Sequence, residues 1–249
     1  MTTVLVTGGT GALGVPTVTQ LRAAGSGYDV RVLSRRRDQG LTTGDLLTGA
    51  GIASAVADVD TIVHLSTGKR NVEAASNLLT AARASGVSHV VLISIVGIDQ
   101  VPLPYYREKV AIEELVRQSA MPFTILRSTQ FHTLIERIFT GQRASPAILA
   151  PSFSAQPIDP AEVASRLVEL VGGVPAGRVA DIGGPEARSV REFAAVWARS
   201  TRSRRPVWPL RLPGKIYAGF AAGGILVPGE PYGRRTFQEF LSNRAADTV

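Results

Sequence analysis

Apolar residues in this chain gather into short runs, and the stretches between them carry helical spacing. Val4-Leu5-Val6 is followed by a segment from Ala12 to Gly25 with Leu13, Val18 and Leu21 on a helical period. Asp29 to Leu33 reads as a second strand, and Leu46 to Ala57 as a helical segment interrupted by glycines. Asp60 to Leu65 reads as a strand, Arg70 to Ser85 as a helix of good formers, and His89 to Ile95 as a strand with an almost unbroken apolar core. A helix from Tyr105 to Ser119 and a strand from Phe123 to Leu126 follow. Continuous rather than alternating apolar character means burial on both faces, as in a parallel sheet. Strands alternating with helices predict an α/β, doubly wound parallel sheet of the Rossmann type.

Beyond Arg127 the pattern loosens, with prolines at 146, 151, 157 and 160 between short pieces. Asp159-Pro160-Ala161-Glu162 has the form of a helix start, and a further helix is predicted over Val190 to Arg202 with Ser189 as its cap. The last fifty residues are rich in Pro, Gly and aromatic side chains. The expected organisation is one domain over 1–249, to which about 130–158 and 184–249 contribute a small C-terminal substrate-side lobe.

Composition narrows the chemistry. With 249 residues and 45% hydrophobic content the chain can bury a sizeable core. It has no cysteine, so disulfides, thiolate catalysis and cysteine-ligated metals are excluded, and His64, His89 and His132 form no ligand spacing; no metal site is expected. The net charge of +7 is almost wholly arginine. Arg35-Arg36-Arg37 and Arg202 to Arg205 stand out, yet neither lies in a DNA-reading motif, and the second reads as a solvated helix end. No apolar run is long enough to span a bilayer, and no signal segment is recognisable at the N-terminus. The expectation is a cytoplasmic protein with a small-molecule substrate and no nucleic-acid or membrane partner, in which the helix at 70–85 could serve as a homodimer face.

The first strand breaks into Thr7-Gly8-Gly9-Thr10-Gly11-Ala12-Leu13-Gly14 before the first helix. Glycines at 8, 11 and 14 suit a tight turn, close backbone approach to a pyrophosphate, and close packing of helix on strand, with the helix N-terminus facing the phosphates. A dinucleotide is the expected ligand, held by Gly8, Thr10, Gly11, Ala12, Leu13 and Gly14. In NAD-binding units a carboxylate about twenty positions on binds the ribose 2′-hydroxyl. This chain places Ser34, Arg35 and Arg36 there, and Asp38 lies too far along. Guanidinium groups and a hydroxyl hold a 2′-phosphate that a carboxylate would repel, so NADP(H) is expected over NAD(H).

Tyr105 and Lys109 stand four apart in a predicted helix, which puts them on one face. An ammonium beside a phenol stabilises the phenolate and lowers a pKa that is ordinarily about 10. Such a pair can deliver a proton to a carbonyl while a reduced nicotinamide delivers hydride. Tyr106 competes with Tyr105 for this place. His64, inside an apolar strand, reads as structural, and His132 as packed, although its position soon after the strand at 123–126 also suits an acid–base group.

These segments resemble the atypical, NmrA-like branch of the short-chain dehydrogenase/reductase superfamily. The likeness rests on the turn at 7–14, Gly44-Asp45-Leu46, Ile93 to Gly97, Tyr105 to Lys109 and Phe123 to Phe131. It implies that Asp45 and Leu46 flank the adenine, that Ser66 and Thr67 line the cofactor, and that Thr129, Gln130 and Phe131 approach the nicotinamide. It also implies a hydroxyl near the end of the strand at 89–95 that orients the substrate carbonyl. Ser94 is the candidate, but the strand register puts Ile95 or Val96 nearer that end and leaves Ser94 inside the strand. An NADPH-dependent oxidoreductase acting on a small carbonyl, quinone or enone is the expected function. A non-catalytic NADP(H)-binding redox sensor acting through a protein partner is the alternative, and non-redox use of the cofactor is a third.

Overall fold

The computed structural model describes residues 1–25, 27–68 and 70–246. In chain order its elements are β1 (Thr2–Thr7), α1 (Gly14–Ala23), β2 (Tyr28–Ser34), β3 (Thr42–Thr43), α2 (Ile52–Ala55), β4 (Thr61–His64), α3 (Asn71–Ala84), β5 (His89–Ile95), α4 (Pro104–Gln118) and β6 (Phe123–Ser128). These are followed by α5 (His132–Thr140), β7 (Ile148–Pro151), β8 (Ser154–Ala155), α6 (Pro160–Gly172), β9 (Gly177–Arg178), β10 (Arg188–Ser189), α7 (Val190–Ser200), β11 (Val207–Leu210), α8 (Lys215–Ala221) and α9 (Phe237–Ala246). Seven strands form one parallel sheet in the order β3-β2-β1-β4-β5-β6-β9, the doubly wound arrangement that the alternation of elements predicts. The chain divides into two compact units, the first comprising 1–94, 107–127 and 163–180, the second 95–106, 128–162 and 181–249. Among the described residues no helix is long and apolar enough to cross a membrane.

In the first unit one sheet face, with Leu5, Ile62, Val90, Leu92 and Ile125, packs on Leu78, Leu79 and Ala82 of α3 and Ile112 and Val116 of α4. That packing explains why β4 and β5 carry no solvent-facing alternation. The segment 46–57, predicted as helical, forms only the single turn α2. Gly49 and Gly51 adopt φ of +76° and +74°, and the Asp45 carboxylate accepts from the Leu47 N–H at 2.9 Å, so a local turn outcompetes the helix.

Arg127, a charge inside the apolar strand β6, is buried with Glu113 of α4. Its guanidinium donates to both carboxylate oxygens, at 2.7 and 2.8 Å, and Arg117 donates to the same group at 2.8 Å. The Arg127 bonds above all hold the Glu113 carboxyl below its usual range, against the opposing push of burial. A charge in such a strand requires a partner, and this bidentate pair fastens α4 to the sheet.

The second unit is built differently. Phe139, Phe193, Trp197, Phe237 and Phe240 form an aromatic core beneath the parallel pair β7–β11, and β8 pairs antiparallel with β10. Ser189 caps α7 in a complete capping box with Glu192. Asp159 precedes α6 and accepts from the Ala161 N–H at 2.7 Å, as the Asp-Pro start predicts.

Candidate functional site

The chain leaves β1 through Gly8 at φ +72°, where an added Cβ would lie 2.8 Å from the Ser66 nitrogen. The loops that follow β1 and β4 therefore meet backbone to backbone. A Cβ on Gly14 would collide with the Gly8 carbonyl, so α1 starts directly against the turn. Gly11 donates to the Gly8 carbonyl at 3.0 Å, and Thr10, Gly11 and Ala12 are exposed. Leu13 occupies the N-cap position, its side chain buried, and no side chain caps α1, nor does any acid occupy its first turn. The exposed turn and the uncapped positive end of the helix fit a diphosphate, with Leu13 contributing main chain only.

At the end of β2, Ser34 is half-buried and Arg35, Arg36 and Arg37 are exposed. The Ser34 hydroxyl accepts from the Arg36 N–H at 3.1 Å, which draws the two residues into one turn. Asp38 turns its carboxylate to its neighbour's Gln39 N–H at 2.8 Å. Leu46 is buried in the core of the first unit, and Asn77 of α3 donates to the carbonyls of Leu46 and Leu47 at 2.9 and 3.1 Å, anchoring the loop that also carries Asp45. Nothing in the sequence reading singles out Asn77. Ser66 is half-buried and Thr67 exposed in the loop after β4.

Helix α4 carries Tyr105 and Lys109 one turn apart. Tyr106 is buried with Ile98, Val101 and Ile225 and meets Phe220 edge-on, whereas Tyr105 is half-buried. Burial raises the Tyr106 pKa, and the Gln130 amide beside it offsets part of the rise. Lys109 is only 4% exposed; burial lowers its pKa to about 8 while Glu113 and Glu108 oppose the shift. Burial and then the Lys109 charge push His64 down to about 3, leaving a neutral ring hydrogen-bonded to the Thr7 hydroxyl at 2.7 Å. Ser94 lies inside β5, buried, with its hydroxyl toward Glu113 but without a hydrogen bond of ordinary geometry.

In the second unit Thr129 is buried and donates to the Gln156 carbonyl at 2.5 Å. Phe131 is half-buried at the extended N-cap of α5. The Gln130 amide is buried, and neither of its polar atoms makes a hydrogen bond of ordinary geometry to the described residues. His132 is packed against Phe237 and Phe240, and its Nε2 lies 2.9 Å from the Arg235 carbonyl. A carbonyl only accepts, so Nε2 carries the proton. Burial lowers the His132 pKa.

Among solved structures, the chain is similar to the NADPH-dependent quinone oxidoreductase of Escherichia coli, complexed with NADPH, at 19% identity and TM-score 0.81 over 97% of this chain and 99% of that one. Triphenylmethane reductase of Citrobacter sp., complexed with NADP(H), matches at 17% identity and TM-score 0.81 over the same shares. The UDP-N-acetylglucosamine 4-epimerase of Bacillus cereus matches at 15% and 0.72 over 99% of this chain and 97% of that one. Among curated proteins, none matches significantly. These likenesses show the fold, which reductases and an epimerase share. A family model described as NAD(P)H-binding matches residues 8–172. That match begins at the glycine turn and takes in the arginine-bearing end of β2, the loop after β4 and helix α4, so the chain belongs to the NAD(P)H-binding family.

Proposed function

We infer that the protein is an NADPH-dependent oxidoreductase that reduces a small carbonyl, quinone or enone. The end of β2 carries this reading: three exposed guanidinium groups follow a serine, and the nearest carboxylate, Asp38, is turned to its own neighbour. The Arg35 and Arg36 side chains hold a 2′-phosphate, while the main chain from Thr10 to Gly14 and the positive end of α1 hold the diphosphate. A bound reduced nicotinamide supplies the hydride. Tyr105 donates the proton to the substrate oxygen, and the Lys109 ammonium, one turn on, stabilises the phenolate left behind. Tyr106 has a raised pKa and an apolar setting, which suits packing better than proton transfer. The similarity to a quinone oxidoreductase and a triphenylmethane reductase supports an apolar, conjugated acceptor.

The redox-sensor reading draws on one observation. Ser94 faces the Glu113 carboxylate, so its hydroxyl is poorly placed to orient a substrate carbonyl.

Titration with NADPH and NADH, followed by turnover on aldehydes, ketones and quinones, tests both readings. Arg35→Ala is expected to weaken NADPH about tenfold or more and leave NADH unchanged, given ~1.5–3 kcal/mol for a charge-assisted contact. Tyr105→Phe is expected to lower kcat about 10²- to 10⁴-fold. Equal affinity for the two cofactors overturns the NADPH assignment. Tight binding without turnover on any acceptor favours the sensor.

A further inference from the structure

The outer face of the β7–β11 pair is apolar and exposed. Leu149 and Trp208 are register partners in neighbouring strands, 38% and 56% exposed, and Leu212 and Ile216, which follow β11, are 53% and 37% exposed. The inner face is the reverse: Ile148 and Ala150 are buried on the aromatic core with Trp197. A two-stranded sheet with one dry side needs a polar outer side to remain in water, and this one lacks it.

The chain that flanks both strands carries charge of one sign. The stretches of chain that contain the two strands, 137–158 and 193–229, are free of Asp and Glu, and the second alone carries six cations. Arg143, Arg204, Arg211 and Lys215 are exposed. Arg205 is instead committed to the protein, donating to the Gln142 and Ser145 carbonyls and lying over the Trp197 ring.

The sheet is also protected against strand addition. The Gln142 amide accepts from the Leu149 N–H at 2.8 Å and donates to the Leu149 carbonyl at 3.1 Å, occupying the edge of β7 as a neighbouring strand would. Pro209 offers no N–H within β11. A second copy pairing edge to edge is therefore disfavoured, and the face itself is what remains open.

We propose that this face docks on an anionic lipid surface, with Trp208, Leu149, Leu212 and Ile216 entering the headgroup boundary and Arg204, Arg211 and Lys215 meeting lipid phosphates. An exposed tryptophan paired with an aliphatic side chain, with exposed cations close by in the chain, is the composition that partitions into a membrane interface. Single-stranded nucleic acid would call for several exposed aromatic rings, and Trp208 is the one large exposed aromatic among the described residues. Among the described residues no helix can span a bilayer, but a face that lies on one needs no spanning segment.

The test is sedimentation of the full chain with vesicles of phosphatidylcholine alone or mixed with phosphatidylglycerol, together with tryptophan emission. Of the two tryptophans Trp197 is 3% exposed, so a blue shift on binding reports Trp208. The protein is expected to sediment with the mixed vesicles only, with a blue shift, and to be released by salt. Trp208→Ala, whose folding is checked by the remaining Trp197 emission, is expected to weaken partitioning about tenfold and abolish the shift. Arg211→Gln and Lys215→Gln are each expected to weaken it about fivefold. No sedimentation with the mixed vesicles overturns the proposal, as does binding that leaves the emission or the Trp208→Ala variant unaffected. A Trp208 shift with an oligonucleotide or polyglutamate but not with vesicles also overturns it and assigns the face to that partner.

Discussion

The two units differ in how much buried polarity they leave unpaired. In the first, the Glu113 carboxylate binds Arg127 through two bonds and Arg117 through one, and the Thr7 hydroxyl meets His64. Among its described buried side-chain atoms Ser94 Oγ lacks a partner, whereas in the second unit both amide atoms of Gln130, Nδ1 of His132 and Oε2 of Glu162 do. Paired groups in a low-dielectric core fix one arrangement, whereas unpaired ones cost free energy that packing elsewhere must offset. Here the aromatic core of Phe139, Phe193, Phe237 and Trp197 supplies that packing. The first unit thus adds a hydrogen-bonded ion pair to its apolar core, and the second packs rings around an interior with more unpaired polar atoms.

The largest effect that would break this comparison is in the first unit. Glu113→Ala leaves Arg127 buried without its bidentate carboxylate, and a loss of about 3–5 kcal/mol is expected in denaturant unfolding. Amide exchange should rise in β5 and β6 before it rises in α7. Simultaneous opening of α7 would mean that the two units share one cooperative transition.

A smaller effect comes from acid. The folded-state pKa of His64 is about 3 against 6.5 in the unfolded chain, so the unfolded state alone takes up this proton over that interval. Stability contributed by neutral His64 is complete above pH 6.5 and falls as pH drops toward 3, by about 3 kcal/mol at pH 4. Lowered pKa values at His89 and His132 act in the same direction. Thermal unfolding at pH 7 and pH 4 checks this, and His64→Asn should flatten the dependence. An unchanged slope would place the acid sensitivity with His89 in the first unit or His132 in the second.

The smallest effect belongs to the second unit. Ser189→Ala removes the acceptor that caps Glu192 N–H and should cost about 1 kcal/mol. Exchange should increase in the first turn of α7 while β5 and β6 stay protected. A larger, global loss would show that the aromatic core depends on this one helix end.

Much of the fold was legible because it rests on local constraints. The strand predicted over His89 to Ile95 has the bounds of β5, since an unbroken apolar run has few alternatives. Ser189 was legible as a cap because Glu192 follows three residues on. The segment 46–57 misled because apolar spacing outweighed Gly49 and Gly51, whose left-handed backbone ends a helix before it starts. The match of Arg127 with Glu113, fourteen positions apart, could not be read, because strand and helix meet only through tertiary packing. In the candidate site the glycine turn and the arginines after β2 were visible as residue types. The setting of Ser94 beside Glu113 and of Tyr106 in an apolar cluster comes from packing between segments distant in the chain, and residue types do not set that.

The contact of Gly8 with the Ser66 backbone, and of Gly14 with Gly8, has a consequence for descent. A ligand gripped by main chain asks almost nothing of the side chains around it, only that a few positions have none. Three solved chains share this fold at 15–19% identity. A turn closed by backbone contacts lets nearly every letter around it change while the shape of the fold stays the same.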